Sequence, residues 1–321
     1  MAFKYPKPTP KGLWRRTPPA IFPPILGALG MGLAWRWGAA SFGVPGEAVE
    51  TLLGALTLLA TFALVAYAVK LLRRPAVLFE DLRILPGYAG VSAAVLCLEQ
   101  LISVMAPYAP LEARGVFWLA LALHLGLLAS LVWVFFTAPG VQRRVTPAWH
   151  LPWSGLGVAG LAAQHLGLSG LATVLFWAAL ALSMMIWAAA AEQFRRERVP
   201  AALRPLMAIH LAPMGYVGAL AWELQMSGLG HALAAVAVVV ALVMIVSARW
   251  LLEAGFSPLW GALTYPAAST AGLWLMAAGR WHLAGGLMLV LGTLITVPIA
   301  FMILRDWAAG RLAIKTNAAV A

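Results

Sequence analysis

The chain has 321 residues, of which 63% are hydrophobic and only 10% charged, with a mean hydropathy of +0.88. Soluble domains carry about 25% charged residues, so this composition excludes one and points to an all-α integral membrane protein. The net charge of +11 does not mark a nucleic-acid binder, because the basic residues are spread over loops between apolar runs, and Cys97, the one cysteine, excludes an intramolecular disulfide.

Ten apolar segments are predicted to cross the membrane: 20–40, 48–72, 86–107, 112–137, 149–166, 169–192, 201–224, 229–252, 256–278 and 282–308. They leave no room for a separate soluble domain, so residues 1–321 read as one membrane domain. The first segment follows the basic stretch Lys4–Arg16. It is long and broken by Pro23, Pro24, Gly27, Gly30 and Gly32, and Arg36 stands where a signal-peptide cleavage site would fall. It therefore reads as a retained helix.

Helix breakers fall mainly in the odd-numbered segments. The fifth holds Pro152, Gly155, Gly157 and Gly160; the seventh Pro205, Pro213, Gly215 and Gly218; the ninth Pro258, Gly261, Pro266 and Gly272. The sixth and eighth hold almost none. Broken helices are tolerated at membrane depth where protein or a water-filled cavity takes up the freed backbone groups. The pattern predicts five helical hairpins, their kinked inner helices around a central pore and smooth outer helices toward lipid. Pro24, Pro86, Pro152, Pro213 and Pro266 are the expected kinks. An odd number of repeats does not divide into the inverted halves of many secondary transporters, which favours a channel-like pore.

With the N-terminus inside, 19 basic residues fall on the cytoplasmic side and three, Arg36, Arg114 and Arg280, outside. The positive-inside rule therefore places both termini in the cytoplasm, in the plasma (inner) membrane. The Lys4–Arg16 stretch reads first as a topological signal and second as a contact for anionic lipid. Trp14, Trp35, Trp37, Trp149, Trp153, Trp250 and Trp281 lie near segment ends and read as interfacial anchors.

Few residues within the segments carry chemistry. Gly155-x-Gly157-x-x-Gly160 matches a dinucleotide fingerprint but lies in an apolar helix without the strand that motif needs, so close helix packing is the reading. Glu99, beside Gln100, reads as a carboxyl protonated or paired with a neighbour such as Arg36, or else as a proton-titrating group beside the pore. His124 reads as an interhelical hydrogen-bonding contact, Glu223 as interfacial, and His210, three residues before Pro213, as a contact or a proton site. Tyr265, directly before Pro266, is placed to project into a lumen as a gate, or to pack as an ordinary core aromatic. No triad, phosphate loop or metal-ligand spacing is present, so neither an enzyme nor a cofactor is implied.

Several stretches in order resemble the tellurite-resistance/dicarboxylate transporter family, which includes the bacterial tellurite-resistance membrane protein and the plant guard-cell slow anion channel. They are Gly30 to Arg36, Arg74-Pro75 to Arg83, Leu203-Arg204 to Pro213, Phe256 to Pro266 and Gly310-Arg311 to Lys315-Thr316. The resemblance implies five hairpins around a pore in each protomer, a homotrimer, passage of small anions, and a pore-occluding phenylalanine whose position Tyr265 takes. The first functional reading is an anion channel or uniporter for chloride-like ions, linked to tellurite resistance. The alternative is a proton-coupled carrier of C4-dicarboxylates or of oxyanions such as tellurite or sulfite, with Glu99 or His210 loading the proton. The absence of a mid-pore arginine favours the channel.

Overall fold

The computed structural model describes residues 12–137 and 144–321, so that Lys4, Lys7, Lys11 and Arg143 lie outside the described residues. In chain order the helices begin with α1 (Phe22–Gly38), α2 (Gly46–Arg73), α3 (Val77–Leu82), α4 (Leu85–Met105) and α5 (Pro110–Thr137). They continue with α6 (Leu156–His165), α7 (Ser169–Arg196), α8 (Ala212–Glu223), α9 (Ser227–Val246) and α10 (Ala248–Leu251). The last are α11 (Thr264–Ala277), α12 (His282–Ala308) and α13 (Arg311–Lys315), and no strand occurs among the described residues.

Seven helical stretches are long and apolar enough to cross a bilayer: α2, α4, α5, α7, α9, Ala201–Glu223 and Gly279–Ala308. The other three expected crossings contain α-helices of 17, 10 and 14 residues (α1, α6 and α11), below the ~20 that a full span needs. Each is preceded by a 3-10 segment: Pro19–Ile21, Pro147–His150 and Pro258–Leu263. α8 likewise follows an 11-residue 3-10 run, Ala201–Leu211. At ~2 Å rise per residue such a segment adds length that the short helix lacks.

The prolines expected as mid-helix kinks stand elsewhere, at helix starts. Pro24, Pro86, Pro213 and Pro266 lie in the first turns of α1, α4, α8 and α11, and Pro152 lies in the turn between Pro147–His150 and α6. A first-turn N–H has no intrahelical acceptor, so proline costs no hydrogen bond there and its fixed φ suits the helix. The chain is broken before each of these helices rather than within it.

α1 packs on α4 and on α11, α4 on α6, α6 on α8, and α8 on α11, which closes a cycle of five. Outside it α2 lies on α1, α5 on α4, α7 on α6, α9 on α8 and α12 on α11. Burial divides the same way. The apolar stretches of α4 and of Ala201–Glu223 are 83% buried, against 22–33% for α2, α5, α7, α9 and α12. The breaker-rich segments are thus interior and the smooth ones present their side chains outward.

Small residues allow the close approach within the cycle. A Cβ on Gly27 would stand 2.1 Å from Oγ1 of Thr264, so α1 and α11 touch backbone to side chain there. Gly157 and Gly160 do the same for α6 against α8, where added methyls would meet Tyr216 at 2.9 Å and Leu220 at 2.4 Å. The GxGxxG match is a packing face.

Candidate functional site

Two small cavities lie inside the cycle, and Tyr265 borders both. The first, of about 30 Å³, is lined by the beginnings of the five inner units, including Pro23, Pro86, Leu151, Ala212 and Pro266. The second, of about 40 Å³, is lined by their later parts, including Trp37, Gln100, Ser103, His165, Tyr216 and Ser269. A cavity needs roughly 10–15 Å³ per water, so each holds a few waters at most. The first is almost wholly apolar; the second carries hydroxyls, an amide and an imidazole, with Oε1 of Gln100 and Nδ1 of His165 buried and unpartnered. Neither lining contains Lys, Arg, Asp or Glu.

Between the cavities the Tyr265 ring is 4% exposed and stacks on Tyr216, with centroids 6.1 Å apart and planes at 14°. That separation is within the range of offset-stacked aromatic pairs. Tyr216 is held in turn: its hydroxyl lies 2.7 Å from Oγ of Ser154, and Oγ is 3.1 Å from Nδ1 of His150. Nε2 of His150 lies 3.0 Å from Nδ1 of His210.

His210 borders neither central cavity. It opens on a third cavity of about 200 Å³, together with Arg144, Gln193, Glu197 and Arg198. Its carbonyl accepts a hydrogen bond from Nε1 of Trp187 at 3.2 Å. The expected helix contact is present, and His150 is the partner.

Glu99 also turns away from the central cavities. Its Oε1 lies 2.6 Å from Nδ1 of His124 on α5, and Nε2 of His124 lies 2.7 Å from the carbonyl of Pro152. Both side chains are fully buried. The reading of His124 as an interhelical contact holds, and it caps a carbonyl freed by the break before α6. Pairing of Glu99 with Arg36 is corrected: Arg36 makes a bidentate contact with Glu50, at 2.7 and 2.6 Å, and reaches the carbonyls of Ser103 and Val104 at the end of α4. Glu50 wins because it sits on the adjoining α2, facing Arg36 across the short connection at 39–45. Glu223 lies 3.9 Å from Nε2 of His165, a residue of the second cavity's lining, and is half-buried.

Sequence reasoning missed Tyr216, His150 and Ser154. Tyr216 had one available signal: it follows Pro213 by three residues on an inner unit, much as Tyr265 adjoins Pro266. Trp37, read as an interfacial anchor, lines the second cavity.

An apolar all-helical bundle with seven stretches long enough to cross a bilayer has the architecture of a multi-pass membrane protein. The family profile SLAC1, voltage-dependent anion channel, matches residues 16–305, and the chain belongs to this family. Its members are transport proteins that pass small anions, and that function extends to this chain as an anion channel or transporter. None of the curated proteins matches the chain.

Proposed function

We propose that the chain is an anion channel whose conduit runs along the axis of the five inner units and is closed by Tyr265. In this reading each inner unit and its outer partner form one hairpin. The chain crosses the plasma membrane ten times as a single domain with both ends in the cytoplasm, and three copies assemble.

One observation carries the reading. The first turns of α1, α4, α8 and α11 all border the apolar cavity beside Tyr265, through Pro23, Pro86, Ala212 and Tyr265-Pro266. The dipole of each α-helix places partial positive charge at its N-terminus, which favours an anion; the prolines there offer no N–H, so the attraction comes from the dipoles rather than from direct hydrogen bonds. Neutral dipoles attract an anion without trapping it, as conduction requires. The membrane potential, worth about 2.3 kcal/mol per charge per 100 mV, then drives the ion without a coupling residue.

The contact of His210 with His150 supports a second reading, a proton-coupled carrier of C4-dicarboxylates or of oxyanions such as tellurite or sulfite. Reversal potentials in planar bilayers, under separate chloride, dicarboxylate and pH gradients, decide between them. The channel reading expects a reversal potential set by the anion gradient alone. Movement with the pH gradient overturns it in favour of the carrier.

A further inference from the structure

Four side chains join the 200 Å³ cavity at His210 to the ring that stacks on Tyr265. The links are His210 Nδ1 to His150 Nε2 at 3.0 Å, His150 Nδ1 to Ser154 Oγ at 3.1 Å, and Ser154 Oγ to the Tyr216 hydroxyl at 2.7 Å. His150 and Ser154 are fully buried. The cavity at His210 has room for several waters, whereas Tyr216 at the other end borders the small second cavity.

We propose that His210 is a proton site, and that His150, Ser154 and Tyr216 are positioning residues through which its protonation loosens the Tyr265 constriction. The proposal rests on the reading of Tyr265 as that constriction.

The reasoning follows from what a neutral imidazole can do: one ring nitrogen donates and the other accepts. The chain therefore has two polarities. In the first, His150 Nε2–H donates to His210, leaving His150 Nδ1 an acceptor. Ser154 has a single hydrogen and spends it on that nitrogen, so the Tyr216 hydroxyl must donate to Ser154 and is locked in place. His210 then carries its hydrogen on Nε2 and has no free lone pair to take up another proton.

In the second polarity His210 Nδ1–H donates to His150, and the Nε2 lone pair is free. His150 Nδ1–H donates to Ser154, whose own hydrogen turns to Tyr216 or to the His150 carbonyl at 3.0 Å. Tyr216 is no longer obliged to donate. Only this polarity takes a proton, from water to Nε2, so acid draws the population toward it. Acid thereby lets the Tyr216 hydroxyl accept from Ser154 and turn its own hydrogen toward the His150 carbonyl, 3.4 Å away, which relaxes the fixed seat of the ring stacked on Tyr265.

The charged groups that share the cavity are Arg144, Glu197 and Arg198, with Arg144 and Glu197 paired to each other. Arg204, on the same 3-10 run as His210, is drawn off to Glu253 and to the face of Trp250, and Arg249 on α10 is exposed. The Trp187 ring, 5.5 Å from that of His150, closes the neutral side.

The experiment is a pH titration of anion conductance in oriented bilayers, acidifying only the side on which His210 opens. Wild-type conductance is expected to rise severalfold with the reversal potential unmoved, while His210→Gln, Ser154→Ala and Tyr216→Phe give flat profiles. A Ser154→Ala protein that keeps the wild-type profile overturns the relay. Tyr265→Ala separates the underlying reading: unchanged conductance in that variant removes the constriction itself, whatever the relay does. Imidazole 15N spectra of the labelled wild type need no variant. His150 should pass to its Nδ1–H form as His210 protonates, and an unchanged tautomer mixture overturns the proposal.

Discussion

The ring of Tyr265 rests against Gly30: a methyl group added there would stand 3.1 Å from Cε2 of the ring and equally close to Cβ of Ala268. On its other side the ring stacks on Tyr216. α1 and α8 thus hold the aromatic of α11 between them, and a methyl group at position 30 would require the ring to give by a few tenths of an ångström.

Removing the ring tests whether it closes the conduit. Tyr265→Ala should raise anion conductance severalfold in patched liposomes, and Gly30→Ala should raise it by a smaller factor through crowding. Tyr265→Phe should lower the closed-state leak, because a plug without a hydroxyl dewets more readily. Equal conductance for wild type and Tyr265→Ala, in protein of unchanged elution profile, defeats this account.

A second prediction concerns a buried ion pair away from the axis. Lys70 Nζ lies 2.8 Å from Oδ2 of Asp81, and both side chains are fully buried. Tyr67 donates to the same oxygen at 3.0 Å, Lys70 also reaches the carbonyl of Thr17, and the backbone N–H of Ala319 donates to Oδ1. The cluster ties α2 and α3 to segments at both ends of the chain. Breaking a buried pair by removing one partner costs about 3–5 kcal/mol, since the survivor is left charged and unpaired. Asp81→Asn and Lys70→Met should each lower the unfolding midpoint in detergent by an amount of that order. The double variant should recover part of the loss; if it is no better than the worse single change, the charges are not coupled.

How much of this was legible beforehand depends on the kind of signal. Hydropathy placed the long outer helices closely, α12 covering the expected 282–308, while the breaker-rich segments 149–166 and 256–278 hold α-helices of only 10 and 14 residues. Breaker content separated interior from exterior correctly because both follow from one cause, the intolerance of lipid for unpaired backbone. What proline does was misread, since Pro266 marks a helix start in sequence terms as well as it marks a kink. Side-chain partners were the least legible. Glu99 and His124 are 25 positions apart on different helices, and nothing in either local sequence selects His124 over Arg36. The partner of Lys70 was equally hidden, because it lies on α3, a helix too short to show a period.

Arg36 gives a third prediction. Its guanidinium spends four contacts on Glu50 and on the carbonyls of Ser103 and Val104, which belong to the last turn of α4 and lack intrahelical donors. An ammonium cannot reproduce that fork, so Arg36→Lys is not conservative here. The pair is partly exposed, which screens it, and the expected cost is about 1 kcal/mol. Hydrogen exchange at the C-terminal turn of α4 should speed up in Arg36→Lys with the rest of the helix unchanged. Uniform protection along α4 would show that the carbonyls do not depend on the guanidinium.

The pair of Glu99 and His124 yields the last prediction, because two changes at the same contact should differ. Nε2 of His124 must donate to the carbonyl of Pro152, so Nδ1 faces Glu99 either as acceptor from a protonated carboxyl or as donor to a carboxylate. Either arrangement shares one proton and leaves the pair neutral overall. A glutamine at position 99 still offers an N–H to Nδ1, so Glu99→Gln should cost under about 1 kcal/mol. His124→Ala strands both the carboxyl and the Pro152 carbonyl in the interior, at about 1–3 kcal/mol for each buried group left unpaired. His124→Ala should therefore unfold at clearly lower denaturant than Glu99→Gln, whereas the reversal potential under a pH gradient should match wild type in both. A reversal potential that tracks pH in wild type and ceases to do so in Glu99→Gln would instead make this carboxyl a coupling site, because a merely structural contact has no means of altering which ion sets the zero-current voltage.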